Sequence, residues 1–258
     1  MSSLGTSPRP FLSSQKVYGL LTKVQNGSAI VFSVFAVTHG VQILSANIGG
    51  SSLANNWIML GRPFYQDEHL EGILVTGSIL THVTAGLAKL GIRLYWNTNI
   101  KKNPALLPYH GLTGYLLIPL AGLHYYLVRH LPIDYYGDSA FIDFGYIAWG
   151  LQNKPIFTYG LHTALIVAAA YHMVSGAKIA IWGRSKPQLP VANGKVPQHG
   201  KSVQQKNIND RLKKRQLIRH GIVATVSVAL ISGLIIVGRD TKKIPLRLDF
   251  AKMYASII

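Results

Sequence analysis

Four histidines are the residues of this chain whose type and position can do chemistry in an apolar environment. His39, His82, His124 and His172 lie deep in the first four long apolar stretches, one in each. An ionisable side chain inside a membrane-spanning helix is costly and therefore indicates a function. Imidazole is a common ligand of metal ions and of haem iron. These four side chains therefore define the candidate site.

The four histidines fall at two depths. Successive spans run in opposite directions, so each depth is measured from the side on which the chain starts. At 1.5 Å per helical residue, His39 and His124 lie roughly 23–26 Å from that side, and His82 and His172 roughly 14–15 Å from it. Two facing imidazoles at equal depth are what a six-coordinate haem requires. We therefore predict that these histidines bind haem b, as one group or two.

Small residues accompany the histidines. Gly86 and Gly176 each follow a histidine by four residues, on the same helix face, and Gly40 and Gly122 lie within two residues of the other two. Glycine lets a flat macrocycle approach the backbone. Two alternatives stay open. The histidines can be neutral and hydrogen-bonded between helices, or they can form a proton relay, although no carboxylate lies in their spans to partner them.

The elements that must position these histidines are transmembrane helices. Only 14% of the residues are charged, and 48% are hydrophobic. Five stretches lack Asp, Glu, Lys and Arg, and four of them have about the 20 residues that a hydrocarbon core requires. They are Val24–Ala46, Gly72–Ala88, Asn103–Val128, Pro155–Ala177 and His220–Gly238. The sequence predicts an all-α integral membrane protein with about five transmembrane helices, in which a four-helix bundle of the haem type precedes one C-terminal helix.

Positive charge is concentrated on one side of the predicted bundle. Segments 1–23, 89–102 and 178–219 contain 18 of the 26 Lys and Arg residues and one acid, Asp210. The positive-inside rule predicts that this side, with the N-terminus, faces the cytosol. A basic face attracts anionic membrane lipid. Because no aromatic residue interrupts the basic run 210–219, we do not expect nucleic acid as a partner.

The chain divides into five regions. We predict a disordered cytosolic tail with a Pro-x-Pro motif (1–23), a transmembrane bundle of two similar hairpins (24–182), a basic cytosolic linker (183–219), a fifth transmembrane helix (220–238) and a C-terminal tail (239–258). The polar composition of 183–209 predicts disorder. Aromatic residues in the two loops on the far side, Phe144 among them, are expected at the membrane interface. The chain has no cysteine, and no residue pattern of a hydrolase is present, so we assign no catalytic residue.

The pattern of four histidines on four helices resembles the dihaem cytochrome b anchors of succinate dehydrogenase and fumarate reductase. The resemblance implies that ligands pair between corresponding helices, His39 with His124 and His82 with His172. It also implies an alternative function for the chain, that of a dihaem b-type cytochrome in quinol-linked electron transfer.

A longer resemblance covers about residues 24–182. It is to a fungal mitochondrial outer-membrane family of adapters that recruit a bridge-like lipid-transfer protein. The residues that carry it are His110-Gly-Leu-Thr-Gly-Tyr115, Pro119-Leu120, His124, Arg129 and Pro132. The resemblance implies a multi-pass protein of the mitochondrial outer membrane that acts in lipid transfer at organelle contact sites and supports mitochondrial lipid homeostasis, with lipid scrambling.

The same resemblance gives a role to the N-terminal tail. The family docks its partner through a Pro-x-Pro motif that follows an apolar residue in a disordered tail. It therefore implies Leu4, Pro8 and Pro10 as the residues that bind the lipid-transfer protein. A Pro-x-Pro segment is already extended before binding, which reduces the entropy lost on docking.

Overall fold

A computed structural model describes residues 14–100, 109–182, 198–243 and 246–257. Within this part of the chain every regular element is helical, and five helices are long and apolar enough to cross a membrane. The prediction of an all-α membrane protein with about five spans is confirmed. The candidate spans lie within Ser14–Tyr65, His69–Tyr95, Tyr109–Tyr136, Pro155–Ala177 and Lys213–Asp240.

The helices are numbered along the chain. They are α1 (Ser14–Tyr65), α2 (Ser78–Ile100), α3 (Tyr109–Tyr125), α4 (Phe144–Asn153), α5 (Pro155–Trp182), α6 (Gln198–Asp240) and α7 (Leu248–Ala255). Short helical segments extend two of them. Glu68–Glu71 and the π-helical turn Gly72–Gly77 precede α2, and the π-helical turn Tyr126–His130 and the α-helical segment Leu131–Tyr136 follow α3.

Two consecutive glycines interrupt α1. Gly49 and Gly50 leave the helical conformation, and Gly50 adopts a positive φ of 66° that a side chain would disfavour. The helix resumes at Ser51, whose backbone N–H donates to the carboxylate of Asp240 at 3.0 Å. A carboxylate at this position stabilises the start of a helix, where the macrodipole is positive. The end of α6 therefore supports the second half of α1.

The described residues form two compact units. The first contains residues 14–35 of α1 and residues 64–100. Its turn before α2 is capped by Asp67, which accepts hydrogen bonds from the backbone N–H groups of Leu70 and His69, both at 3.0 Å. These bonds hold the pKa of the Asp67 carboxyl below its ordinary value, with the bond from Leu70 contributing most.

The second unit contains residues 36–63 and the described residues from 109 onward. Part of its core lies where α4 meets α7. Tyr146 of α4 contacts the rings of Phe250 and Tyr254 of α7, with ring centroids 5.3 and 4.9 Å apart. These three side chains and Met253 are buried almost completely. Burial in this core raises the pKa of the Tyr254 hydroxyl.

Two features of this core differ from the sequence-based expectation. The predicted C-terminal tail contains α7, because Phe250, Met253 and Tyr254 recur at a helical spacing and bury one face. The expectation of an interfacial position is wrong for Phe144, whose side chain is only 5% exposed and packs in the core. An aromatic residue near a span suits either place, and packing against neighbouring helices decides between them.

The fifth span belongs to a longer helix than the sequence predicts. Helix α6 begins at Gln198, inside the segment 183–209 for which the composition predicts disorder. The sequence contains no proline between Pro197 and the end of α6, and proline is the strongest helix breaker. Residues 1–13, with Leu4, Pro8 and Pro10, and residues 183–197 lie outside the described part of the chain.

Candidate functional site

The ring of His39 on α1 is oriented by a chain of two hydrogen bonds. Its Nδ1 lies 3.2 Å from Oε1 of Gln42, one helical turn further along α1. Gln42 is completely buried, and its Nε2 donates to the backbone carbonyl of Trp57 at 3.2 Å. Since the amide nitrogen already donates to Trp57, Oε1 must accept, and Nδ1 of His39 therefore carries the proton. The lone pair of His39 is then on Nε2, the nitrogen that can ligate a metal.

His124 lies beside His39 in the same unit. The two ring centroids are 6.1 Å apart, with an angle of 52° between the ring planes. The structure thus places near each other the two deep histidines that were expected to pair. Their neighbouring glycines, Gly40 and Gly122, face open space, since a Cβ built on either meets no atom within 4 Å.

A third imidazole joins this pair. His162 of α5 meets His124 edge to face, with centroids 5.2 Å apart and ring planes at 88°. Nδ1 of His162 donates to the backbone carbonyl of Thr158 at 2.7 Å, which leaves the lone pair on Nε2. That nitrogen is buried and has no hydrogen-bond partner among the described residues, and the same holds for Nδ1 of His124. The sequence analysis did not select His162.

His172 lies against His110 in the second hairpin, which consists of α3 and α5. The two rings stack with centroids 4.2 Å apart and an angle of 16° between their planes. Nδ1 of His172 donates to the backbone carbonyl of His110 at 3.0 Å. Each ring also fills the space above a glycine of the other helix. A Cβ on Gly114 would lie 2.7 Å from His172 Cε1, and one on Gly176 would lie 2.8 Å from His110 Cε1.

His82 has a similar environment in the first hairpin, which consists of the start of α1 and α2. Its Nδ1 lies 3.1 Å from the backbone carbonyl of Gln25. The Gln25 side chain fills the space above Gly86, where a Cβ would lie 2.8 Å from Gln25 Nε2. The Nζ of Lys89 donates to Oε1 of Gln25 at 2.9 Å and lies over the ring of Tyr18, 5.2 Å from its centroid.

The geometry of these sites agrees only partly with the sequence-based expectations. His39 has His124 as a neighbour, as the resemblance to cytochrome b anchors implies. The neighbours described for His82 and His172 are Gln25 and His110 respectively, and the pairing of these two histidines with each other stays a prediction. Side chains, and not open space, lie against Gly86 and Gly176, so these two glycines serve helix packing in this structure.

Two contact residues that the sequence analysis did not select, Gln25 and His110, have a spacing that could have identified them. Gln25 and His110 each precede a deep histidine, His39 or His124, by 14 residues, which is close to four helical turns. They therefore lie on the same helix face as that histidine. Gln42 and His162 have no such signal in the sequence.

The pair formed by His39 and His124 is better suited to ligate the iron of a haem than to bind a free metal ion. In the part of the chain that the structure describes, no group of three or more His, Cys, Asp or Glu side chains is arranged to hold a metal ion. With metal–nitrogen bonds of about 2 Å, two imidazoles on opposite sides of one metal have centroids about 6 Å apart. The 6.1 Å between His39 and His124 agrees with this separation. The residues present thus fit haem ligation at this pair.

Basic side chains are exposed at the start of the fifth candidate span. Lys213, Lys214 and Arg215 of α6 are exposed, and so are the apolar side chains of Leu217 and Ile218 directly after them. This order of charge followed by apolar surface is typical of a helix that enters a membrane from a charged interface.

Helical architecture and candidate spans define a multi-pass α-helical membrane protein. The family model described as MDM10-complementing protein 1, transmembrane domain, matches residues 119–242. This stretch contains His124, His162 and His172, and the match supports the resemblance to the mitochondrial membrane adapter family. Among curated proteins and solved structures, no significant match is found. None of the comparisons supports the resemblance to dihaem cytochrome b anchors.

Proposed function

We propose that this protein is an adapter of the mitochondrial outer membrane that recruits a bridge-like lipid-transfer protein to organelle contact sites. The observation that carries the proposal is the match of residues 119–242 to the transmembrane domain of the MDM10-complementing protein 1 family. The bundle anchors the protein, its N-terminus is cytosolic, and delivered lipid supports mitochondrial lipid homeostasis, with scrambling between leaflets. The exposed basic residues before the fifth span bind anionic membrane lipid.

Recruitment of the partner is assigned to Leu4, Pro8 and Pro10 of the N-terminal tail. The experiment is to replace Pro8 and Pro10 by Ala in the full-length protein and to measure the co-localisation of the lipid-transfer protein with mitochondria. We expect recruitment to be lost, while membrane insertion is unchanged. The matched control replaces Pro187 and Pro190 by Ala, since these are another pair of closely spaced prolines in the chain. Recruitment that survives the tail substitutions but fails in the control would contradict the assignment.

We also propose that the bundle binds haem b, with His39 and His124 as ligands in the second unit. The support is their 6.1 Å separation and the Nε2 lone pair of His39. When bound, haem supplies one-electron chemistry. Gln42 orients the His39 ring, and the surrounding apolar helices exclude water. Ligation by His82 and His172, as a second haem, stays a prediction.

Absorption spectra of the detergent-purified protein test the haem proposal. We expect a low-spin b-type spectrum that is lost in His39→Ala and in His124→Ala. The matched control is His69→Ala, because His69 is exposed and lies at the very start of the second candidate span, far along the helix from His82. A folded wild-type protein without a haem signal would remove haem from the proposal, and the adapter function would remain to be tested through the tail.

A second candidate function is a dihaem b-type cytochrome in quinol-linked electron transfer. It is favoured by the histidines alone: in His39, His82 and His172, Nδ1 faces an oxygen atom, which places the lone pair on Nε2. If this function is correct, His82→Ala abolishes electron transfer from a quinol, and the Pro8 and Pro10 substitutions have no effect on it. The adapter function predicts the reverse for partner recruitment.

A further inference from the structure

His124 differs from His39 in one respect that matters for a ligand. A histidine that binds a metal through Nε2 carries its proton on Nδ1, and that N–H almost always donates to a fixed acceptor. His39 has such an acceptor in Gln42 Oε1. The Nδ1 atom of His124 is buried and has no hydrogen-bond partner among the described residues. The proposed ligand therefore needs an acceptor nearby.

His162 has the atom that His124 needs. Its Nδ1–H donates to the carbonyl of Thr158, so its Nε2 is an acceptor, and this nitrogen is buried without a donor in the described part of the chain. A nitrogen–nitrogen hydrogen bond of about 2.9 Å separates two imidazole centroids by about 5 Å. The observed centroid distance between His124 and His162 is 5.2 Å. The separation of the two rings therefore has the length that a hydrogen bond between these two nitrogen atoms requires.

We infer that His162 is a positioning residue for His124. It accepts a hydrogen bond from Nδ1–H of His124 and thereby leaves the lone pair of His124 on Nε2 for the haem iron. This inference rests on the proposed haem at His39 and His124. The two ligands then have equivalent supports, each ending on a backbone carbonyl: His39 through Gln42 to Trp57, and His124 through His162 to Thr158.

The alternative role of His162 is packing, because an edge-to-face contact between rings also fills space. Two substitutions separate the roles. In His162→Gln the new amide can accept a hydrogen bond from His124 through Oε1 and donate one to the Thr158 carbonyl through Nε2. Gln42 makes the same two kinds of hydrogen bond beside His39. Leucine in His162→Leu fills similar space with no acceptor. A positioning role therefore predicts rescue by Gln and loss with Leu.

The experiment measures haem affinity and the haem midpoint potential of the full-length protein in detergent. We expect His162→Leu to weaken haem binding about 10–100-fold and to shift the potential, with the helical circular dichroism unchanged. We expect His162→Gln to bind within about threefold of wild type. The inference is overturned if His162→Leu matches wild type in both quantities, or if Gln is as damaging as Leu.

A second readout does not depend on haem. In the haem-free protein, ¹⁵N chemical shifts of the histidine rings report which nitrogen is protonated. We expect the Nδ1–H form of His124 in wild type and in His162→Gln, and a mixture of both forms in His162→Leu. A wild-type protein that binds no haem would remove the proposed cofactor together with this role. A wild-type haem spectrum with an unaffected His162→Leu variant would remove the positioning role alone.

Discussion

The first and second hairpins hold a partly buried histidine in the same way but surround it with different chemistry. His82 and His172 both direct Nδ1 to a backbone carbonyl of the facing helix, that of Gln25 or of His110. In each case the residue that supplies the carbonyl also places its side chain over the glycine four positions after the histidine. The likeness that the sequence shows between the two hairpins therefore extends to a specific contact.

The difference lies in what fills the space above the glycine. An amide fills it in the first hairpin and an imidazole in the second. Seven residues after the histidine, the first hairpin has Lys89, whose Nζ donates to the Gln25 amide, and the second has Ile179. A buried ammonium requires an acceptor, whereas an isoleucine requires none. The first hairpin thus uses its filling residue to satisfy a charge, and the second uses it for ring packing.

We expect the largest loss of stability when the Gln25 amide of the first hairpin is removed. Gln25→Leu leaves the buried Nζ of Lys89 without its Gln25 acceptor, and hydrogen bonds to charged groups contribute about 1.5–3 kcal/mol. His110→Leu removes the ring stacking on His172, and we expect it to cost about 1 kcal/mol. Unfolding of the purified variants in detergent, followed by circular dichroism, measures both losses. Equal losses would show that the two hairpins do not differ in this respect.

A double substitution tests whether the stability lost in Gln25→Leu comes from the unsatisfied charge of Lys89. Combining Gln25→Leu with Lys89→Met removes the buried charge together with its acceptor. We expect the double variant to recover most of the stability that Gln25→Leu loses, since coupled partners are not additive. If the two losses simply add, the hydrogen bond between Lys89 and Gln25 is not their cause.

A smaller effect is expected from added methyl groups. Gly176→Ala places a Cβ 2.8 Å from the His110 ring, whose stacking limits its movement, and we expect a cost of about 2 kcal/mol. Gly86→Ala meets only the end of the Gln25 side chain, so we expect less than about 1 kcal/mol. Gly122→Ala is the control, because its Cβ enters open space. Thermal unfolding of the three variants gives the comparison, and a Gly86→Ala loss as large as that of Gly176→Ala would contradict it.

The next effect tests whether the two filling residues are interchangeable. In His110→Gln the carbonyl that accepts from His172 is retained, because it belongs to the backbone. Glutamine at this position reproduces the amide of the first hairpin, and we expect a change below about 1 kcal/mol in the free energy of unfolding. A much larger loss would show that stacking of the two imidazoles is the principal contact of the second hairpin.

The smallest effect concerns pH and the first hairpin. Hydrogen bonds from backbone N–H groups lower the pKa of Asp67, so its ionised form stabilises the turn before α2. This contribution is fully present above the ordinary carboxyl pKa of 3.8 and is lost as pH falls through the lower folded value. The corresponding helix of the second hairpin is α5, and its first turn contains no acidic residue. We expect the difference in melting temperature between wild type and Asp67→Asn to stay constant at higher pH and to shrink as pH falls below 3.8, and a difference that does not change there would contradict this.

Sequence reasoning found the helices and selected four candidate histidines, but it did not find the residues that contact them. Long runs without charge identify spans because every charged group is costly in a bilayer. The same rule selects His39, His82, His124 and His172 as candidates. It does not select Gln42, which carries no charge, and the pattern of one histidine per span at two matched depths leaves out His162.

Composition and hydropathy by themselves determined that this is an all-α membrane protein with five apolar candidate spans, a large excess of basic residues and a histidine in each of the first four spans. These are properties that each residue has independently of its neighbours in space. Only the tertiary structure decided that His172 stacks on His110, that His82 contacts Gln25 and that His162 lies beside His124. Successive residues point about 100° apart around a helix, so packing between helices, which depends on side chains distant in the sequence, chooses the partner of each histidine.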